Sequence, residues 1–197
     1  MTQRFLSLSW LAVATLILPG VAQADGERLE KTFLSICVDT FPDFAALGAK
    51  VTALGGWLDP KSETISRVPF VLPDVAWGGS TGARDRREIG DMGIDRAEGT
   101  VSGLPAAGCA ITGRGSIDNT AMAQLVGHFE PVLYIGEHES PLMGDRTRSW
   151  WVQVNGQGAV LAITQPRWGG EIIATSIALV RLDKVLIDEL KPTDTAP

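Results

Sequence analysis

The sequence predicts an α+β fold: an N-terminal helical hairpin plus one further helix, packed on an antiparallel sheet with a C-terminal three-stranded meander. Three observations carry that expectation. Apolar residues recur at helical spacing twice near the start and once before Pro131. Three β-like runs joined by glycine-rich turns occupy the last third. Strands and helices do not alternate in the way that builds a parallel sheet.

The opening, "MTQRFLSLSWLAVATLILPGVAQADG", has the three parts of an export signal. Arg4 supplies the charged start, Phe5 to Leu18 the apolar stretch, and Ala22-Gln23-Ala24 the small residues that a signal peptidase reads. A Sec-type cut after Ala24 is expected, which leaves residues 25–197 as one α+β domain with 190–197 as a frayed tail. The apolar run falls short of the roughly 20 residues that span a bilayer, so no stable membrane insertion is expected after cleavage. The periplasm, or secretion, is the implied location. The formal net charge is −6, with no run of Lys or Arg. Such a balance argues against nucleic acid and anionic lipid as partners.

Leu29, Phe33, Ile36 and Cys37 form the stripe of a first helix. Thr40 and Pro42 open a second, with a stripe of Phe44, Leu47, Val51 and Leu54 ending at Gly55-Gly56. Trp57 and Leu58 are expected to pack just beyond it. Residues 64–72 read as an edge strand, because Pro69 cannot donate to a ladder. From 73 to 103 the chain is rich in glycine and charge, and reads as a long loop with weak strand signals at 88–94. A short β-like run around Cys109 follows. Asp118 or Asn119 then caps a third helix with Met122, Leu125, Val126 and Phe129 on its apolar face. "VLYIGE" is a short strand, and runs at 147–155, 158–165 and 171–181 make the meander, with "NGQG" as the first turn. The third run, "EIIATSIALV", is apolar on both faces, as a central strand covered on both sides would be.

The chain has two cysteines. Outside the cytoplasm they allow one bridge, Cys37 to Cys109, which would clip the first helix to a mid-chain strand. Two buried free thiols, or a reactive thiol, are the alternatives. No electropositive neighbour in the sequence favours the last of these.

Gly78-Gly79-Ser80-Thr81-Gly82 matches G-x-S-x-G, and Asp118 followed by His128 or His138 supplies the order Ser, acid, His. The strand and helix that a nucleophile elbow needs are lacking around it, so Ser80, His128 and His138 are only weak catalytic candidates. Glu137-His138-Glu139 lacks the paired spacing of a zinc site, and no metal or cofactor motif is found. Asp39/Asp43 and Asp91/Asp95 are carboxylate pairs at a helix start and in the loop. Trp10 leaves with the signal. Of the other tryptophans, Trp151 sits on the opposite strand parity from Trp150, Val152 and Val154, while Trp77 and Trp168 adjoin glycines. With Arg146 and Arg148, these three tryptophans are the candidate binding surface.

The signal peptide, "FLSIC" on a first helix, "PDFAALGAKVTALGGW" on a second, and the later "GCAITG" resemble small exported, functionally unassigned proteobacterial proteins. That resemblance implies export and a single domain, and supplies no catalytic residue. The function expected is therefore an exported binding protein, of which an inhibitor- or immunity-type protein is one version, with another periplasmic or envelope protein as partner. A small hydrolase around Ser80 and a small-ligand binder are the alternatives.

Overall fold

The protein is described here by a computed structural model, which covers residues 20–58, 77–78, 84–101, 103–139, 145–168 and 171–190. It is an α+β structure built on one antiparallel sheet. Residues 1–19 of the expected signal, the expected edge strand at 64–72, Ser80 and the tail 191–197 lie outside the described residues.

The first helix, α1 (Gly20–Phe33), runs directly into a π-helical turn, Leu34–Val38. The wider turn shifts the helical phase, so Leu29, Phe33, Ile36, Cys37 and Phe41 all reach the core. The second helix, α2, spans only Leu47–Ala53, several residues shorter than its stripe predicts. The reason is local. Phe44 has φ of 53°, outside the right-handed helical region, yet its ring is fully buried against Phe41. Burial of the two rings outweighs helix continuity, and Leu54 is left exposed beyond the end of α2. Lys50 on α2 ties back to Asp39 at 2.6 Å and to the Ser35 carbonyl at 2.9 Å.

Two short strands follow, β1 (Trp57–Leu58) and β2 (Trp77–Gly78). Trp57 is 53% exposed, so it does not pack as expected. Within the expected loop of 73–103 lies a long hairpin, β3 (Arg84–Ile89) and β4 (Met92–Val101), turning at Gly90 with φ of 62°. The register sets Asp85 opposite Arg96 and Arg86 opposite Asp95. A hydropathy pattern is blind to this alternation of opposite charges, which is why the hairpin reads as loop. Strand β5 (Leu104–Arg114) then carries Cys109 and is buried from Ala106 to Ile111.

Helix α3 (Asn119–Val126) is capped by Asp118, whose carboxylate accepts from the Ala121 N–H at 2.8 Å. After it come β6 (Val132–Glu139), β7 (Arg146–Val154) and β8 (Gln157–Gln165). The β7–β8 turn has positive φ at Asn155 (50°) and Gly156 (76°), the twist that suits a two-residue hairpin. Apart from the main sheet, β9 (Arg167–Trp168) pairs antiparallel with β10 (Glu171–Ile172). The third C-terminal run therefore begins later than expected, as β11 (Ala174–Leu182). It is followed by a helix that the sequence reading missed, α4 (Lys184–Leu190).

The sheet order is β1-β3-β4-β5-β11-β8-β7-β6, with β2 also pairing β4. The chain lays down β3, β4 and β5, crosses through α3 to the far edge, and returns through β6, β7 and β8. Strand β11 then fills the gap between β5 and β8, which accounts for its burial on both faces. One face packs on α1, the π turn and α3 through Ile94, Ile111, Leu161, Ile163, Ile177 and Leu179. The other face is paved with smaller side chains, Ala97, Ala110, Ala162 and Ala178 among them, and α4 docks at one end of it through Leu186 and Ile187. Cys37 and Cys109 are bonded across the first interface, with Cα atoms 5.4 Å apart and both side chains fully buried. This bridge is compatible with an oxidising, exported location. Among the described residues, no helix is long and apolar enough to cross a membrane.

Candidate functional site

Strand parity separates the residues expected to form one binding surface. Arg146 and Arg148 share the α3-side face of β7 with Trp150, whereas Trp151 points to the opposite face. Trp151 is also only 7% exposed, because Ile187 of α4 and Gly158 of β8 close over its ring. It is a packing residue at the margin of a groove, and not an exposed platform. Trp77 and Trp168 lie on the short strands β2 and β9.

The aromatic ring that does join the arginines is Trp150. It is partly buried against the core, with Tyr134 of β6 beside it at a centroid separation of 5.8 Å. Tyr134 itself is 53% exposed. Next to this pair, Arg148 donates from Nε to Glu137 Oε2 at 2.6 Å, and from Nη1 to Asn119 Oδ1 at 3.0 Å and to Met122 Sδ at 3.3 Å. It thereby links β6, β7 and α3. Arg146 lies 3.2 Å from Glu137 and 3.7 Å from Glu139. The two arginines are thus engaged in a cross-strand charge ladder, and the accessible anchor beside them is Tyr134.

Strand β6 forms one end of the sheet, and among the described residues nothing pairs with its outer side. Its register slips between Tyr134 and Gly136, and its second half carries Glu137, His138 and Glu139, all exposed. Bulges and charges of this kind limit indiscriminate pairing along an edge. The part free of both is Val132–Tyr134.

Ser80 lies outside the described residues, and the described members of the weak catalytic set sit on different elements. Asp118 is occupied as the α3 cap. His128 stands 2.8 Å from Glu30 Oε1, joining the end of α3 to α1. His138 lies on β6, opposite Thr147 in register. The carboxylate pairs are dispersed as well. Asp39 binds Lys50, Asp43 accepts from the Ala45 N–H at 2.9 Å, Asp91 binds Arg28 at 2.9 Å, and Asp95 is buried on β4. Among the described residues, no cluster of three or more metal-capable side chains occurs.

Sequence reasoning missed Tyr134 as an exposed anchor, along with α4 and the groove beneath it. A signal for α4 was present in "LDKVLIDEL": Asp183 precedes an apolar pair, Leu186 and Ile187, at a helix-compatible position. Compared with known proteins, the chain matches no family model, no curated protein and no solved structure.

Proposed function

We propose that this chain is an exported binding protein that holds an extended segment of another protein along the open edge of β6. The observation that carries this reading is the edge itself, an eight-residue strand ending the sheet with an exposed tyrosine at its third position. An open edge offers a row of N–H and C=O groups that a partner strand can pair with, and such pairing supplies affinity without chemistry. Tyrosine and tryptophan supply large contact area at little entropic cost, and Tyr134 backed by Trp150 has that form. The bulge and the acidic half of β6 restrict docking to the stretch before Gly136, so the fitting partner segment is short and apolar. Export rests on the signal-like opening and is supported by the buried disulfide.

The test is a pull-down from periplasmic extract with the oxidised chain and with Tyr134→Asp as baits. Tyr134 is exposed, so the variant is expected to keep the parent's unfolding midpoint. The parent should retain one specific partner that Tyr134→Asp loses, and that partner should slow amide exchange in Val132–Tyr134. A partner held equally by both baits without protection of β6, or no specific capture at all, refutes the proposal.

A further inference from the structure

We propose that the recess between α2 and the β3–β4 hairpin binds a phosphate-type oxyanion, held by Arg87 and Arg96. This inference is independent of the β6 edge. The recess has a volume of about 720 Å³, within the range of small-ligand sites. It is lined by the two arginines and by small residues of α2 and the turn before it, Gly48, Ala49 and Thr52 among them. Register puts both arginines on the helical side of the sheet. Arg87 stands opposite Ile94, which packs in the core beneath the helices, and Arg96 follows Ile94 by two residues. Arg96 also stands opposite Cys109, whose sulfur is bonded to the π turn. The two side chains are therefore diagonal neighbours on adjacent strands.

Neighbouring groups hold both guanidiniums in place. Arg87 Nη1 donates to the Thr52 hydroxyl at 3.3 Å, and that hydroxyl donates to the Gly48 carbonyl at 2.9 Å. A Cβ at Gly48 would stand 2.8 Å from Arg87 Nη2, so the absence of a side chain there lets the guanidinium lie against α2. Arg96 donates from Nη2 to Glu98, and its buried Nε has no hydrogen-bond partner among the described residues. An unsatisfied buried donor is costly, and an acceptor reaching that side of the guanidinium would remove the cost. Among the described residues no carboxylate lines the recess. The chain as a whole is acidic, with a formal net charge of −6, so an anion is retained only where local donors outweigh that background. Two planar forks on neighbouring strands suit a tetrahedral anion, which offers a separate pair of oxygens to each. A carboxylate has one pair, in one plane. The short side chains of α2 leave room for the group that a phosphate monoester carries.

The experiment is titration of the full oxidised chain with inorganic phosphate, phenyl phosphate and acetate at constant ionic strength and about pH 8, where a phosphate monoester is dianionic. The backbone amide resonances of Gly48, Ala49 and Thr52 are the readout. Phosphate in at least one form should shift them saturably and bind at least about tenfold more tightly than acetate. That comparison needs only the parent chain, so it stands whether or not a variant folds. Arg87→Gln and Arg96→Gln should each weaken phosphate at least about tenfold, whereas Arg114→Gln, an equal loss of charge outside the recess, should leave it within about twofold. Tighter binding of phenyl phosphate assigns the site to monoesters and tighter binding of inorganic phosphate to the free ion; either supports the proposal. Acetate bound as tightly as phosphate, an affinity that falls as far in Arg114→Gln as in the other two variants, or no saturation by either phosphate at about 10 mM overturns it.

Discussion

Replacing both cysteines, Cys37→Ala together with Cys109→Ala, removes the disulfide cross-link between the helical layer and the sheet. The bridge joins residues 72 positions apart. Closing a loop of that length in the unfolded chain removes entropy equivalent to about 4 kcal/mol at room temperature. The native geometry adds a second consideration. Both side chains are fully buried, with Cys109 opposite Leu179 and Arg96 in the register of β5, so the variant also loses packed sulfur. The expected loss is therefore about 4 kcal/mol or somewhat more, equivalent to a fall in melting temperature of roughly 10–15 °C for a chain of this size. Urea unfolding followed by far-UV circular dichroism measures it. The slope of the transition should steepen in the variant, because an uncrosslinked chain exposes more surface when unfolded. A variant within about 1 kcal/mol of the oxidised parent, together with two reactive thiols in the native parent, would refute the reasoning.

Two further perturbations test the second face of the sheet. A Cβ at Gly158 would stand 2.9 Å from Ile187 Cγ1 and 3.3 Å from the Trp151 ring, so Gly158→Ala should lift α4 and cost about 1–3 kcal/mol. Faster amide exchange confined to α4 and β8 would identify the cause, and unchanged exchange there would count against this packing. Thr147 and Thr164 lie opposite each other on β7 and β8, buried, with hydroxyls 2.9 Å apart. Thr147→Val alone should cost about 1–3 kcal/mol by leaving the Thr164 hydroxyl without this partner. Adding Thr164→Val should restore part of that, and a coupling energy near zero in the double-mutant cycle would contradict the bond.

Local features were legible where they needed no distant partner. The cap at Asp118 is written in the residue itself and the apolar stripe after it. The "NG" turn requires only two backbone conformations, and Asn155 and Gly156 adopt them. The candidate surface was less legible. Parity separates Trp150 from Trp151, yet it does not say which face a helix covers. The face of Trp151 became interior once α4 docked on it, and Tyr134 became prominent because β6 ended the sheet.

By itself the sequence determined the α+β class, the identity of the only possible cysteine pair, and the central place of the doubly apolar run in β11. Periodicity, composition and residue count are properties of the chain alone, and they suffice for those three. Tertiary structure decided that 84–101 pairs as a hairpin, that Phe44 leaves the helix to bury its ring, and that α4 docks on the face of the sheet that carries Trp151. Each of these depends on which segments meet in space, and the free energy of meeting is absent from any window of sequence.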